Sequence, residues 1–211
     1  MKHCPVRRLI KHGYHHGDLR NALIAEGLKL LEEGGQDFTL RDLARRVGVS
    51  AAAPYAHFAD KNALLAAIAQ SGFAQLRGAL GAALLGSGNP AEQFLDMGRA
   101  YVRFGMDNPA LYKLMFASEE LPADRGKYPG LDAAAEAAFD SLTETLGRLQ
   151  QAGILRAGNV EADGLTVWAH VHGLTSLIIT GRVECVGENP PPPEDAVRMS
   201  LMTLLSGLRA V

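Results

Sequence analysis

The chain has 211 residues, 47% hydrophobic and 21% charged, which supports a packed core and excludes a disordered or low-complexity protein. Aromatics make up only 6% while Ala, Leu and Gly abound, which favours helices over a β-sandwich. The net charge of −2 is unevenly spread: residues 1–61 hold 10 Lys/Arg against 7 Asp/Glu, so the basic surplus sits at the N-terminal end, as nucleic-acid binding requires.

Residues 1–17 lack periodicity and carry Lys2, Arg7, Arg8 and Lys11. They read as a flexible basic arm, either a plain terminus or a contact to the DNA backbone or minor groove. Asp18 is expected to cap a helix from Leu19 to about Glu33, with Ile24, Leu28 and Leu31 on one face. Gly34-Gly35 ends it.

The rest of the chain is organised around Phe38 to Leu65. Leu40, Leu43, Ala44 and Val47 fall at i, i+3, i+4 and i+7, one face of a short helix. Thr39 and Asp42 make an approximate capping box, and Gly48 supplies a left-handed exit. Ser50 is expected to cap a second helix running through Phe58, and Asp60 a third, from Lys61 to about Leu80. Two short helices joined by a Gly-containing turn are the helix-turn-helix pattern, here over residues 39–58.

Gly86 to Pro90 is a break in which Asn89 caps and Pro90 takes the first helical position. That helix runs to about Met106. Asn108-Pro109 is read as the same device, starting a short helix to about Ala117, and residues 118–130 are a loop. Leu131 to Gln151 is a long helix stopped by Gly153. Ala162 to Arg182 is nearly apolar all round, a proline run follows, and the last helix spans about Glu194 to Arg209. A helix apolar on every side must be buried, so helices 162–182 and 194–209 are expected to pair with the same helices of a second copy. A paired helix-turn-helix also suits two half-sites about one helical turn apart or a multiple of it.

Cys4 and Cys185 are far apart and fit no metal or disulfide spacing, so a reduced, cytoplasmic setting is expected. The polar N-terminus shows no signal peptide. Leu165 to Gly181 is too short, and too interrupted by His170, His172 and Gly173, to span a bilayer, so no membrane partner is expected. There is no Gly-rich phosphate loop, no G-x-S-x-G, no paired carboxylates in a defined motif and no metal constellation, so neither an enzyme nor a cofactor is expected. His170 and His172, at i and i+2, do not share a helix face, and His12, His15 and His16 are not read as a metal site.

Over residues 14–68, YHHGDLRNALIAEGLKLLEEGG, TLRDLARRVGVS and PYAHFADKNALL together resemble the TetR family of bacterial transcriptional regulators. Further on, YVRFGMDNPALYKLMF and VWAHVHGLTSLI resemble a subgroup with a Trp…His-Gly signature, here Trp168, His172 and Gly173. The resemblance implies an all-α homodimer: a three-helix DNA-binding domain over 18–65 on a palindromic operator, and a helical ligand-binding and dimerisation domain over 66–211 that takes a small-molecule inducer.

By that resemblance the Thr39 hydroxyl anchors a phosphate, a role compatible with capping, and Tyr55, His57 and Lys61 fall on phosphate-contacting positions. Arg41 and Arg45 point off the apolar face, either as base-reading groups or as solvated surface. A guanidinium bonds O6 and N7 of guanine together. Ser50, Ala51, Ala52 and Ala53 complete the candidate DNA surface. The alanines offer only methyl groups, which pack on thymine methyls but bond no guanine or adenine, so hydrogen-bonded specificity is expected from Arg41. Phe58 reads as core, and Pro54 is expected to tighten or delay the helix start. Met97, Tyr101 and Phe104, then Tyr112, Met115 and Phe116, then Phe139, Trp168 and His172 are the candidate pocket set, with ordinary core as the alternative. Gly173 is read as allowing close helix packing. The leading function is a ligand-released repressor; the alternatives are an activator, a ligand-independent DNA binder, or a helical interaction module with weak DNA binding.

Overall fold

The computed structural model describes residues 16–86, 88–117, 121, 126–183, 189 and 191–209. The expectations for Lys2, Arg7, Arg8, Lys11, His12, His15, Cys4 and Cys185, and for the His16 side chain, lie outside the described residues. The chain is all-α, with α1 His16–Gly34, α2 Leu40–Val47, α3 Lys61–Ala83, α4 Pro90–Asp107, α5 Pro109–Ala117, α6 Pro129–Gln151, α7 Val160–Ile179 and α8 Pro193–Leu208. Among the described residues no helix is long and apolar enough to cross a membrane.

Helix α3 is the axis of the fold. It packs on α1 near its start and on α4, α5 and α6 further along. Its apolar residues are buried on several sides, from Leu64, Leu65 and Ile68 to Phe73, Leu76 and Leu80. One continuous hydrophobic core therefore runs from Leu23 and Leu43, through α3, to Phe94, Leu146 and Leu201.

The caps follow the local chemistry. Asp60 Oδ1 accepts from the Ala63 amide at 2.7 Å and Asn89 Oδ1 from the Ala91 amide at 2.9 Å. Each satisfies one of the amides that a helix start leaves without an intrahelical partner.

Four local expectations are corrected. α1 begins at His16, so Asp18 stands inside the helix rather than at its cap. Asn108 both closes α4 and opens α5, its carbonyl accepting from the Tyr112 amide at 2.8 Å with Pro109 in the first helical position, but its side chain does not cap α5, because Nδ2 turns back to donate to the Phe104 carbonyl at 2.9 Å. The helix expected from Ser50 through Phe58 is reduced to a single 3-10 turn, Ala53–Ala56, with no side-chain cap. An α-helix would need the Ser50 carbonyl to accept from the amide of residue 54, but Pro54 has no N–H. The Ser50 carbonyl accepts from Ala53 instead, and Pro54 accepts from both His57 and Phe58. Finally, Gly173 has open space where a Cβ would stand, so it mediates no close packing within the chain. It shares a face of α7 with the exposed Leu165 and Ala169, which nothing among the described residues covers.

Candidate nucleic-acid interface and apolar cavity

Helix α2 buries Leu40, Leu43 and Ala44 and turns its arginines outward. Its capping box is complete: Thr39 Oγ1 accepts from the Asp42 amide at 3.2 Å, and Asp42 Oδ2 accepts from the Thr39 amide at 3.1 Å. Asp42 Oδ2 also takes the Thr39 hydroxyl proton at 2.6 Å, while Oδ1 takes Arg45 Nη2 at 2.7 Å. These bonds, the Thr39 hydroxyl first, hold the Asp42 carboxyl below its usual range. Gly48 leaves the helix at φ 78°, a left-handed conformation that costs glycine nothing.

The arginines of α2 have three different situations. Arg46 ties α2 to α1: its Nε donates to Glu26 at 2.8 Å, and its two terminal nitrogens clamp Glu33 at 2.8 and 2.7 Å. That clamp lowers the Glu33 carboxyl, and Glu26 is lowered first by Lys29 and then by Arg46. Arg45 is held by Asp42. Arg41 is exposed and has no hydrogen-bond or ion-pair partner among the described residues.

Past Gly48, Ala51 and Ala52 are exposed, Ala53 and His57 half-buried, and Ser50 exposed. Pro54 and Phe58 face the core, and Tyr55 is 51% exposed. Lys61, at the start of α3, donates from Nζ to the Gln36 carbonyl and lies 5.4 Å over the Phe38 ring. The structure brings Thr39, Tyr55 and Lys61 together around one shallow cleft, together with Asp37 and Asp60. Sequence reasoning did not single out Arg20 of α1, which is exposed and holds its guanidinium 5.4 Å over the Phe58 ring. A cation well upstream of the helix-turn-helix gave no local signal.

A second feature lies deeper, among α3, α4, α5, α6, α7 and the side of α8. It is a cavity of about 460 Å³, a size suited to a small-molecule ligand. Of the candidate pocket residues, Met97, Tyr101, Phe116, Phe139 and Trp168 line it. Phe104, Tyr112, Met115 and His172 do not: Phe104 and Tyr112 are buried in the core, and Met115 packs over Gly72 of α3. Phe73, Leu76 and Leu80 of α3, Phe94 of α4 and Leu201 of α8 also line the wall, as do Glu136 and Asp140 of α6; none of these was anticipated.

Behind the wall is a closed polar network. Tyr101 Oη lies 3.1 Å from His172 Nδ1, Tyr112 Oη lies 2.7 Å from the same nitrogen, and Trp168 Nε1 donates to Tyr101 Oη at 3.3 Å. Gly105 makes this possible, because α4 and α7 approach so closely there that a Cβ would overlap Thr175 Cγ2. Burial keeps both tyrosines above their usual range, hence protonated, and pushes His172 below its own.

Two family models match this chain. Residues 23–68 match the bacterial regulatory proteins of the tetR family, and residues 94–204 match the tetracyclin repressor-like C-terminal domain. A protein with unknown function from Rhodococcus sp. RHA1 has a similar solved structure, 32% identical, with a TM-score of 0.83, covering 95% of this chain and 100% of its own. A bacterial regulatory protein in the tetR family from Rhodococcus RHA1 is 17% identical, with a TM-score of 0.66, over 91% of this chain and 97% of its own. The TetR family transcriptional regulator PfmR from Thermus thermophilus is 22% identical, with a TM-score of 0.62, over 89% of this chain and 99% of its own. No curated protein matches the chain.

Proposed function

The chain belongs to the TetR family of DNA-binding transcriptional regulators, and on that premise we propose that it is a cytoplasmic homodimeric repressor, released from a palindromic operator by a small-molecule inducer. The observation that carries this reading is the reach of α3. One helix begins at the Thr39–Tyr55–Lys61 cleft and ends in the cavity wall at Phe73, Leu76 and Leu80. A ligand that shifts the wall moves the start of the same rigid rod, whose 23 residues span about 34 Å. Release requires the ligand to bind the DNA-free arrangement more tightly than the DNA-bound one.

In this reading residues 18–65 form the DNA-binding unit and residues 66–211 the ligand-binding and dimerisation unit, with α3 crossing between them. Thr39, Tyr55, His57 and Lys61 hold phosphates, Arg41 reads a guanine edge with Arg45 beside it, and Ser50 and the Ala51–Ala53 methyls meet the groove floor. Met97, Tyr101, Phe116, Phe139 and Trp168 touch the inducer. Tyr112 and His172 act from behind by fixing the Tyr101 hydroxyl, while Phe104 and Met115 support the wall. Trp168, His172 and Gly173 mark the ligand-domain subgroup. The dimer forms through α7 and α8, which leave Leu165 56%, Leu177 44%, Met199 63% and Met202 43% exposed in the single chain.

Fluorescence anisotropy on DNA carrying an inverted repeat next to the protein's own gene tests the proposal. Binding should weaken steeply with salt, because phosphate contacts release counterions. A compound that occupies the cavity should raise the operator Kd. A ligand shown to fill the cavity with no change in operator affinity would end the induction model.

A further inference from the structure

We propose that the turn following Gly48 reads the C5-methyl group of a pyrimidine, so that thymine and 5-methylcytosine are equivalent there while uracil and unmethylated cytosine are disfavoured. Binding would then respond to cytosine-5 methylation of the DNA. This rests on the DNA-binding reading above and names the base chemistry which that surface takes.

The segment after Gly48 ends in a single 3-10 turn, Ala53–Ala56, and most of its exposed side chains are alanines: Ala51, Ala52, Ala56 and Ala59. Tyr55 is also exposed, but it stands in the cleft with Thr39 and Lys61. His57 is half-buried, its ring 6.4 Å from that of Phe58. Ser50 is the one other exposed polar side chain before Asp60, and its hydroxyl has no hydrogen-bond partner among the described residues. A hydroxyl donates or accepts, so it suits any base edge and selects none.

Hydrogen-bonded selection is thereby left to α2. Arg45 is paired with Asp42 and Arg46 with Glu26 and Glu33, so of the three arginines only Arg41 lacks an acidic partner among the described residues. The two kinds of readout sit on different elements, the guanidinium on α2 and the methyls on the turn.

In the major groove thymine offers an O4 acceptor and a C5-methyl, and cytosine an N4 donor. Alanine has no polar atom with which to tell O4 from N4, or one opposing purine from the other. Its methyl can only bury another apolar group, and the pyrimidine C5-methyl is the apolar group that the groove presents. Each methyl taken out of water is worth on the order of fourfold in affinity. With one carbon beyond the backbone, Ala51 and Ala52 let the turn approach the base edges closely enough for that contact.

The test starts with selection from a random-sequence duplex library by the full-length protein. The enriched duplex is then remade with deoxyuridine at each thymidine in turn. At one or two positions in each half-site the change should weaken binding about fourfold per methyl. A C·G pair at those positions should weaken binding at least as much, and 5-methylcytosine in the same pair should restore it to within about twofold of the thymine duplex. In the double variant Ala51→Gly/Ala52→Gly the deoxyuridine effect should vanish at those positions, with melting curves checking the fold. The proposal is overturned if no thymidine is sensitive to loss of its methyl, if 5-methylcytosine binds no better than cytosine, or if the folded glycine variant keeps the full deoxyuridine effect. The first two comparisons use the unaltered protein and hold whether or not the variant folds. If the library yields no enriched duplex, the DNA-binding reading itself falls, and this inference with it.

Discussion

The two ends of α3 treat polar side chains in opposite ways. At the N-terminal end they face water: Arg41 is without an intramolecular partner among the described residues, and Tyr55 is half exposed. At the other end Tyr101, Tyr112, His172 and Trp168 turn their polar atoms towards one another, and Tyr101 and Trp168 show carbon to the cavity. The physical reason is the cost of waiting. An exposed donor stays satisfied by water until DNA arrives, so a DNA-reading surface can keep its bonds open without loss of stability. A buried donor has no such reserve, so the cavity half must close its network. The cavity is left with shape and apolar area to offer a ligand.

That contrast can be broken by substitution, and the largest effect should come from the interior. Phe94 is fully buried in the cavity wall, and Phe94→Ala should cost about 3–5 kcal/mol in urea denaturation. A loss well under 1 kcal/mol would mean the wall is not packed as described. Arg41→Ala should do the reverse. Operator binding should weaken by about 1–3 kcal/mol, as expected for one bidentate base contact, with stability nearly unchanged. If it melts earlier yet binds DNA normally, Arg41 belongs to the fold and not to the interface. Tyr112→Phe is smaller still: it removes the 2.7 Å partner of His172 inside the core and should cost about 1–2 kcal/mol of stability.

Acid should separate the two ends by pH. Burial depresses His172, so the unfolded chain binds that proton more readily, and stability falls as pH drops below about 6.5. Glu26, Glu33 and Asp42 are depressed by their partners, so their contribution is intact above about pH 4.5 and is lost only below it. Trp168 fluorescence should therefore change first on acidification, and His172→Gln should remove that early phase. A single transition near pH 4 in both proteins would refute the ordering. The smallest effect is expected for Arg46→Gln, which loosens α2 from α1: a lower melting temperature, with sequence preference on the operator unchanged in a base scan.

Much of the N-terminal unit was legible because its determinants are close in sequence. Thr39, Asp42 and Gly48 cap and close α2 within a few residues of one another, and the Leu40/Leu43/Ala44/Val47 spacing marks its buried face. The 3-10 turn was only half legible. Pro54 announced a disturbed start, but the shift of the Ser50 carbonyl to the Ala53 amide is visible only in the backbone. In the cavity half, spacing identified an aromatic stripe without saying what it faces. Helix α4 buries Phe94, Leu95, Met97, Gly98, Tyr101, Val102, Phe104 and Gly105, more than one face can hold. When a helix is packed on several sides, periodicity reports burial and is silent about the neighbour.

By itself the sequence determined the helical class, the helix-turn-helix and the outward setting of Arg41, since caps, turns and a 3.6-residue period act over a few bonds. Only the tertiary structure decided that Tyr101 faces the cavity while Phe104 does not, and that Tyr112 and His172 stand behind the wall. It also decided that Glu136 and Asp140 of α6 stand in the cavity lining. Each of these depends on which distant helix comes alongside. That is settled by the joint packing of α3, α4, α6 and α7, not by any local rule.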